Sequence, residues 1–248
     1  TGSERTLDFY RKPSSIEQNR QAAEVIAELG LNLPEGDGIG GFIFYNPTSS
    51  LDEVRDNLDF LDRYGLPTDL EFFTHCYLIE GTALTKEMDA RGWRTPYDPK
   101  GYYIKDPKAQ LLEQLARPLA ARFGEDYHGI LRWQFLYARA LSRRLRGKPV
   151  RQHYLDRSLA LLLETCEALR QLILRWYRET IADIEAGDLT PLAARMAAFM
   201  TAYDDIHRGY AERTILLAMD TGCPLPLVPN DFFQRPTRRW LEVLGEAL

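Results

Sequence analysis

The chain has 248 residues, of which 45% are hydrophobic and 27% are charged, and its formal net charge is -5. This composition is typical of a folded globular protein with one large core or two modest ones, and it argues against disorder. An acidic chain lacks the basic surface that nucleic-acid binding needs, so the expected partner is a small molecule or a peptide and not a nucleic acid.

The cysteines and the hydropathy bear on the compartment. Cys76, Cys166 and Cys223 are odd in number and widely spaced, so their spacing predicts neither a disulfide framework nor a metal motif. The chain has no run of roughly 18 to 20 uncharged apolar residues, and its N-terminus has no signal-peptide pattern. These features predict a soluble protein of the cytoplasm with no membrane partner.

The first eighty residues alternate between two hydrophobic patterns. Apolar residues at helical spacing predict one helix from Ser14 to Gly30 and another that begins at Leu51 and stops before Tyr64-Gly65. Short apolar runs rich in aromatic and β-branched residues predict strands at 39–45 and 70–78. Helix, strand, helix and strand with short loops is the order that builds a parallel sheet.

The pattern changes after Arg91. A turn-rich bridge follows, and beyond it leucine and alanine recur at helical period. The predicted helices of this part are 108–123, 126–146, 151–186 and 190–221, with a short last helix at 237–244. The sequence therefore predicts three parts, which are 1–92, a bridge over 93–107 and a helical domain over 108–248.

Three local patterns in the first part carry a family resemblance. The patterns are Gly2-Ser3-Glu4 with its continuation to Lys12, Gly40-Gly41-Phe42 with its continuation to Glu53, and Leu78-Ile79-Glu80-Gly81-Thr82 with Gly92 after it. In order and spacing they resemble the radical S-adenosylmethionine (SAM) superfamily, in particular the subgroup whose full-length members carry a cobalamin-binding domain ahead of the barrel. The resemblance covers residues 1–92.

The resemblance implies a fold class. Residues 1–92 would form the second half of a partial (β/α)6 TIM-like barrel, from the end of strand 4 to strand 6 and its following helix, and an all-α C-terminal domain would follow. No CxxxCxxC occurs in the sequence, and that motif binds the [4Fe–4S] cluster in the family. The cluster, cobalamin and the other barrel half are therefore expected from a missing N-terminal part.

The resemblance also implies a cofactor site at the carboxyl ends of the barrel strands. Ser3 and Glu4 would approach the SAM ribose or carboxylate, and Phe42 and Phe44 would flank the adenine. The cofactor-binding candidates are Ser3, Glu4, Phe42, Phe44, Asn46, Tyr77 and Leu78. As alternatives, Ser3 and Glu4 are turn residues and the two phenylalanines belong to a core.

Four further residues are candidates for binding substrate. They are Tyr45, His75, Tyr102 and Tyr103. His75 and Cys76 are adjacent on a predicted strand and point to opposite faces, so we do not expect them to form a catalytic pair. Tyr102 and Tyr103 would form a lid over the barrel mouth or, alternatively, hold the helical domain against the barrel.

Two polar clusters occur in the helical part. Basic residues between Arg139 and Arg157 would contact an acidic partner or form a solvated helix end. Asp204, Asp205, His207 and Glu212 match no metal-binding spacing, so no metal ligand is predicted.

The resemblance implies a radical SAM enzyme, in which a reduced cluster cleaves SAM to a 5′-deoxyadenosyl radical. The expected reaction is methyl transfer to an unactivated carbon of a small-molecule or peptide substrate, with ring closure or rearrangement as alternatives. A helical module that binds a partner or a peptide, with a degenerate α/β cap and no catalysis, is the alternative function. An unrelated barrel or open-sheet enzyme remains a third interpretation.

Overall fold

A computed structural model of the chain describes residues 1–28, 42–64, 70–76, 78–95, 101–126 and 149–221. These residues are mostly helical. The α-helices are α1 (Glu4–Phe9), α2 (Ile16–Glu28), α3 (Leu51–Tyr64), α4 (Ala83–Ala90), α5 (Pro107–Asp126), α6 (Pro149–Ala186) and α7 (Leu192–Thr221), and Leu70–Phe73 forms a 3-10 helix. None of the described helices is both long enough and apolar enough to cross a bilayer.

The predicted fold class is wrong for the part of the chain that the structure describes. No sheet forms there, and strand pairing is confined to isolated bridges, a parallel one between Tyr45 and His75 and an antiparallel one between Arg94 and Tyr102. The predicted strand at 70–78 begins instead as the 3-10 helix Leu70–Phe73. A short apolar run is compatible with a buried strand or a buried helical turn, so hydrophobicity alone could not separate the two.

Most helix predictions on described residues are confirmed. The structure has helices close to the predicted bounds at α2, α3, α5, α6 and α7. The short helix α1 was not predicted, because its residues were assigned to the exit of a strand. Most of the predicted helix 126–146 and all of 237–244 lie outside the described residues.

Helix starts are set by side chains that accept hydrogen bonds from free backbone N–H groups. Ser3 Oγ accepts from Thr6 N at 3.4 Å at the start of α1, and Thr82 Oγ1 accepts from Thr85 N at 3.2 Å at the start of α4. At α3, Ser50 Oγ accepts from Glu53 N, and Glu53 Oε2 accepts from Ser50 N at 3.0 Å. This reciprocal pair is a capping box.

The chain divides into two compact units. The first comprises residues 1–120 and 169–203, and the second comprises 121–168 and 204–248. Helices α6 and α7 each contribute residues to both units. The sequence-based bounds, with parts at 1–92, 93–107 and 108–248, stay a prediction.

Aromatic rings fill the core of the first unit around Tyr177 of α6. Its ring lies 5.3 Å from that of Phe44 and 6.4 Å from that of Phe72, and all three side chains are almost fully buried. The Tyr177 hydroxyl accepts from Tyr45 Oη at 3.1 Å and donates to the Phe72 carbonyl at 2.8 Å. Tyr177 therefore connects α6 to residues 42–46, which we call the first extended segment, and to the 3-10 helix Leu70–Phe73.

Arginines of α6 bind the end of α3 within the same unit. Arg170 donates to the backbone carbonyls of Leu61 at 3.1 Å and Asp62 at 2.7 Å, which are among the free carbonyls at the helix C-terminus. Arg178 forms ion pairs with Asp59 and Asp62. The Arg178 hydrogen bond is the main reason that the pKa of Asp62 lies below its ordinary value.

Helices α6 and α7 supply buried apolar residues to the second unit. They include Tyr154, Leu161, Leu162, Cys166, Tyr210 and Leu217. Glu164 and Arg213 form an exposed ion pair, which adds little stability because water screens it.

We expect Tyr177→Phe to lower the free energy of unfolding by about 1 to 3 kcal/mol, because it leaves the Tyr45 hydroxyl and the Phe72 carbonyl without a buried partner. Tyr103→Phe is the matched control, since Tyr103 is 47% exposed, and a change within about 0.5 kcal/mol is expected for it. Urea unfolding measures both. Equal stabilities of the two variants would contradict the role given to Tyr177.

Candidate functional site

Two of the three sequence patterns meet in a buried polar cluster, which comprises Ser3, Thr6, Asn46 and Glu53. Asn46 Nδ2 donates to Thr6 Oγ1 at 3.0 Å, and the hydroxyls of Ser3 and Thr6 both donate to Glu53 Oε1 at 3.4 Å. All four side chains are at most 3% exposed. The start of α1 is thereby joined to the exit of the first extended segment and to the first turn of α3.

Asn57 extends this arrangement to the backbone. Its Oδ1 accepts from Gly2 N at 2.6 Å, and its Nδ2 donates to the carbonyl of Phe44 at 3.0 Å. A Cβ atom at Gly2 would lie 2.5 Å from Phe60 Cβ and 2.6 Å from the carbonyl oxygen of Asp56. Only glycine therefore allows the chain to approach α3 this closely.

The second pattern lies beside the segment that leads into the third. Tyr45 N donates to the Thr74 carbonyl at 3.0 Å, and Cys76 N donates to the Tyr45 carbonyl at 3.1 Å. The Tyr102 hydroxyl also donates to the Tyr45 carbonyl, at 2.7 Å. Tyr102 is buried and connects the two segments through its hydroxyl group. Tyr103, in contrast, is 47% exposed.

A cavity of about 240 Å³ adjoins the buried polar cluster. It is lined by α1, α2, α3 and the first extended segment, and its walls include Thr6, Tyr10, Lys12, Asn19, Phe42 and Phe60. The rings of Phe42 and Phe60 are 5.8 Å apart and form an apolar wall. No ion pair of Lys12 occurs among the described residues, so its ammonium group is available to an anion.

The predicted cofactor-binding residues have different positions. Phe42 lines the cavity, whereas Phe44 is fully buried in the aromatic core. Ser3 and Asn46 are buried in the polar cluster, and Leu78 is 3% exposed. Two further candidates remain. Glu4 Oε1 accepts from Ile16 N at 2.9 Å at the start of α2, and Tyr77 lies outside the described residues.

The predicted substrate residues Tyr45 and His75 are stacked. Their ring centres are 5.3 Å apart with an interplanar angle of 25°. Tyr45 is fully buried, while 40% of the His75 side chain is exposed. The neighbouring Cys76 is buried, and burial raises the pKa of its thiol. A buried, protonated thiol is a poor nucleophile.

His75 binds a carboxylate that the sequence analysis missed. Its Nε2 lies 3.1 Å from Oε1 of Glu113, a residue of α5 that is 3% exposed. Arg117 Nε donates to the same oxygen at 2.7 Å, and Gln110 Nε2 donates to Glu113 Oε2 at 3.1 Å. Glu113 is 38 positions from His75, and no local pattern marks it, so only the folded chain reveals this group.

Glu53 was also missed as a site residue, although one signal was present. Its position three residues after Ser50 is the capping-box spacing. That spacing predicts the bond to Ser50 but not the contacts with Ser3 and Thr6, which are 50 and 47 positions away.

The two buried carboxylates have opposite pKa shifts. Burial raises the pKa of Glu53, and the opposing hydrogen bonds from Ser50, Thr6 and Ser3 and the charge of Arg5 do not overcome it. Burial also opposes ionisation of Glu113, but the hydrogen bonds and charges of His75 and Arg117 together outweigh it, so the pKa of Glu113 is lowered. The pKa shifts of the two carboxylates differ in sign because Glu113, unlike Glu53, is hydrogen-bonded to His75 and Arg117.

Within the described residues, no group of three or more histidine, cysteine, aspartate or glutamate side chains is arranged to hold a metal ion. His207 is buried, while Asp204, Asp205 and Glu212 are exposed. The basic cluster between Arg139 and Arg157 lies mostly outside the described residues. No protein-family model, curated protein or solved structure matches this chain.

We expect opposite pH dependence for two conservative variants. A lowered pKa means that ionised Glu113 stabilises the fold above the ordinary value of 4.5, and that this contribution is lost as the pH falls through the folded-state pKa. The stability advantage of the wild type over Glu113→Gln should therefore shrink on acidification below 4.5.

For Glu53 the sign is reversed. Its raised pKa means that ionisation destabilises the fold, so the wild type should lose stability relative to Glu53→Gln as the pH rises above 4.5. Urea unfolding between about pH 3 and pH 8 measures both differences. Each variant controls for the other, and parallel trends would show that the two carboxylates do not differ as described.

Proposed function

We propose that this chain is part of a radical SAM enzyme, of the cobalamin-dependent kind, that transfers a methyl group to a small-molecule or peptide substrate. The observation that carries the proposal is the meeting of the sequence patterns. Thr6 and Asn46 belong to the first two patterns and are hydrogen-bonded to each other, and the second pattern runs parallel beside Thr74–Cys76, which leads into the third.

The cavity beside the polar cluster supports a role in binding SAM. Phe42 offers a ring face to the adenine, and Lys12 offers a cation to the carboxylate of the methionine part. A pocket that encloses a drug-sized ligand has about 300 to 1,000 Å³, and this cavity is smaller. The proposal therefore assigns only part of the SAM contact to this chain.

The proposal revises the roles of several predicted residues. Ser3, Phe44 and Asn46 would act by positioning the walls of the cavity, because their side chains are buried in internal contacts. Thr6 would have the same positioning role, and Phe42 and Lys12 would contact the ligand.

The described residues do not fit an iron–sulfur cluster, since no suitable group of ligands occurs among them. The proposal therefore assigns the cluster, and cobalamin, to residues other than those that the structure describes. The cofactors supply the radical chemistry, and this chain binds, orients and excludes water. Cys76 and Cys166 are buried and form no disulfide among the described residues, which is compatible with the reducing cytoplasm, the compartment that we propose.

A helical binding module is the second candidate, and one feature favours it. A groove of 520 Å³ lies within the first unit between α6 and α7, lined by Leu172, Trp176, Phe199, three alanines and charged residues at its margin. This volume is in the range of ligand pockets. The module predicts binding in this groove and no affinity for SAM.

We expect SAM to bind the 248-residue chain saturably, as measured by isothermal titration calorimetry. Phe42→Leu keeps apolar volume but removes the ring, and Lys12→Ala removes the cation, so each should weaken binding by about tenfold, which corresponds to roughly 1.4 kcal/mol. The matched controls Phe199→Leu and Lys86→Ala lie outside the cavity lining and should leave the affinity unchanged.

Two outcomes would contradict the proposal. The first is the absence of SAM binding to a chain that circular dichroism shows to be folded. The second is an affinity that falls with Phe199→Leu and not with Phe42→Leu, which would favour the binding module instead.

A further inference from the structure

The groove between α6 and α7 has the size of a small-molecule site. Its volume is 520 Å³, and ligand pockets have about 300 to 1,000 Å³. Its lining lies between positions 172 and 202, so the groove belongs entirely to the first unit. Among the described residues, none lines both this groove and the cavity proposed for SAM. A ligand in the groove would therefore occupy a separate site.

Two nearly buried aromatic side chains form the base of the groove. Trp176 of α6 is 4% exposed and Phe199 of α7 is 3% exposed, and both line the groove. Their ring centres are 6.1 Å apart at an interplanar angle of 67°, which is an edge-to-face contact. The base of the groove is therefore apolar.

The wall formed by α7 is apolar as well. Ala194, Ala198 and Ala202 line the groove and are four positions apart, so they share one face of the helix. Ala194 and Ala198 are exposed and Ala202 is half-buried. Because an alanine side chain ends at Cβ, these positions leave open the space beside α6 that longer side chains would fill.

One pair of opposite charges in the lining is already neutralised. Arg195 of α7 forms ion pairs with Glu179 and Asp183 of α6, and its Nε donates to Asp183 Oδ2 at 3.0 Å. Arg195 and Glu179 both line the groove. Their mutual contact leaves neither charge in need of a ligand.

Arg175 is the charge that remains. It lines the groove and is exposed, and no hydrogen bond, ion pair or ring contact of Arg175 occurs among the described residues. Its neighbour four positions along α6 is Glu179, the spacing of a helical ion pair, but Glu179 binds Arg195 instead. The groove therefore combines an apolar base and wall with one uncompensated positive charge.

The dimensions favour a small ligand over a protein. A standard protein interface uses roughly 20 to 30 residues on each side, whereas ten described residues line this groove. From Leu172 to Glu179 the α6 wall spans seven residues, which is about 10 Å at 1.5 Å per residue. This length suits a hydrocarbon chain of about eight carbons.

The charge favours a carboxylate. A guanidinium binds carboxylates and phosphates through paired hydrogen bonds, but a phosphate monoester carries about -1.5 to -2 charges at pH 7. Arg175 supplies a single uncompensated positive charge, which a carboxylate balances.

We propose that the groove binds a small apolar carboxylic acid. Its carboxylate would pair with Arg175, and its hydrocarbon body would lie against Trp176 and the alanine face of α7. This site goes beyond the proposed function, because SAM is assigned to the other cavity.

The test titrates octanoate, 1-octanol and acetate into the 248-residue chain by isothermal titration calorimetry. Octanoate should bind saturably and about tenfold more tightly than 1-octanol, which has the same chain and no charge. Acetate has the carboxylate without the hydrocarbon body, so it should show no saturable binding.

Two pairs of variants locate the site, and circular dichroism checks that each is folded. Arg175→Gln should reduce the preference for octanoate over 1-octanol to within about twofold, while its control Arg208→Gln should keep the preference, since Arg208 lies in the second unit. Ala198→Leu fills the groove and should weaken both ligands by about tenfold. Its control Ala197→Leu changes an exposed residue outside the lining and should have no effect.

Four results would overturn the inference. They are no saturable binding of octanoate, equal affinity for octanoate and 1-octanol, a preference that survives Arg175→Gln, and equal effects of Ala197→Leu and Ala198→Leu. A dimer in size-exclusion chromatography that Ala198→Leu dissociates would assign the groove to a second copy of the chain and would also overturn it. The SAM titration is a separate test, so either proposal can fail without the other.

Discussion

The buried carboxylate of Glu53 constrains the whole N-terminal end of the first unit. A carboxylate that is 3% exposed must be satisfied by donors, because an unpaired buried charge costs several kcal/mol. The donors come from three places along the chain, which are Ser3, Thr6 and Ser50. The position of α1 against α3 follows from this requirement, and so does the cavity beside them.

Glu53 and Glu113 illustrate how burial can produce different outcomes. Both are buried, and in both cases desolvation is the largest single influence on the pKa. Glu53 is surrounded mainly by neutral hydroxyl and amide donors, whereas Glu113 contacts the guanidinium of Arg117 and the ring of His75. The first carboxylate joins α1 to α3, while the second joins α5 to the segment that contains His75.

Among the described residues, the sequence patterns predict most helices correctly and the sheet wrongly. The 3.6-residue spacing and the flanking serine and glycine predicted α2 and α3 closely, because helix formation depends on neighbours three and four positions away. A sheet depends on partners far along the chain. The run at 70–78 had the composition of a buried strand, yet its first residues form a helical turn against Tyr177, which is 105 positions from Phe72.

The candidate site shows the same contrast between local sequence signals and contacts made far along the chain. By itself the sequence determined most of the helical segments among the described residues, since helical periodicity is a local signal. Only the tertiary structure decided that Phe42 lines a cavity while Phe44 is in the core, and that Glu113 meets His75. Those contacts join residues separated by tens of positions, and they are selected by burial and by the need to pair polar groups, which no local pattern encodes.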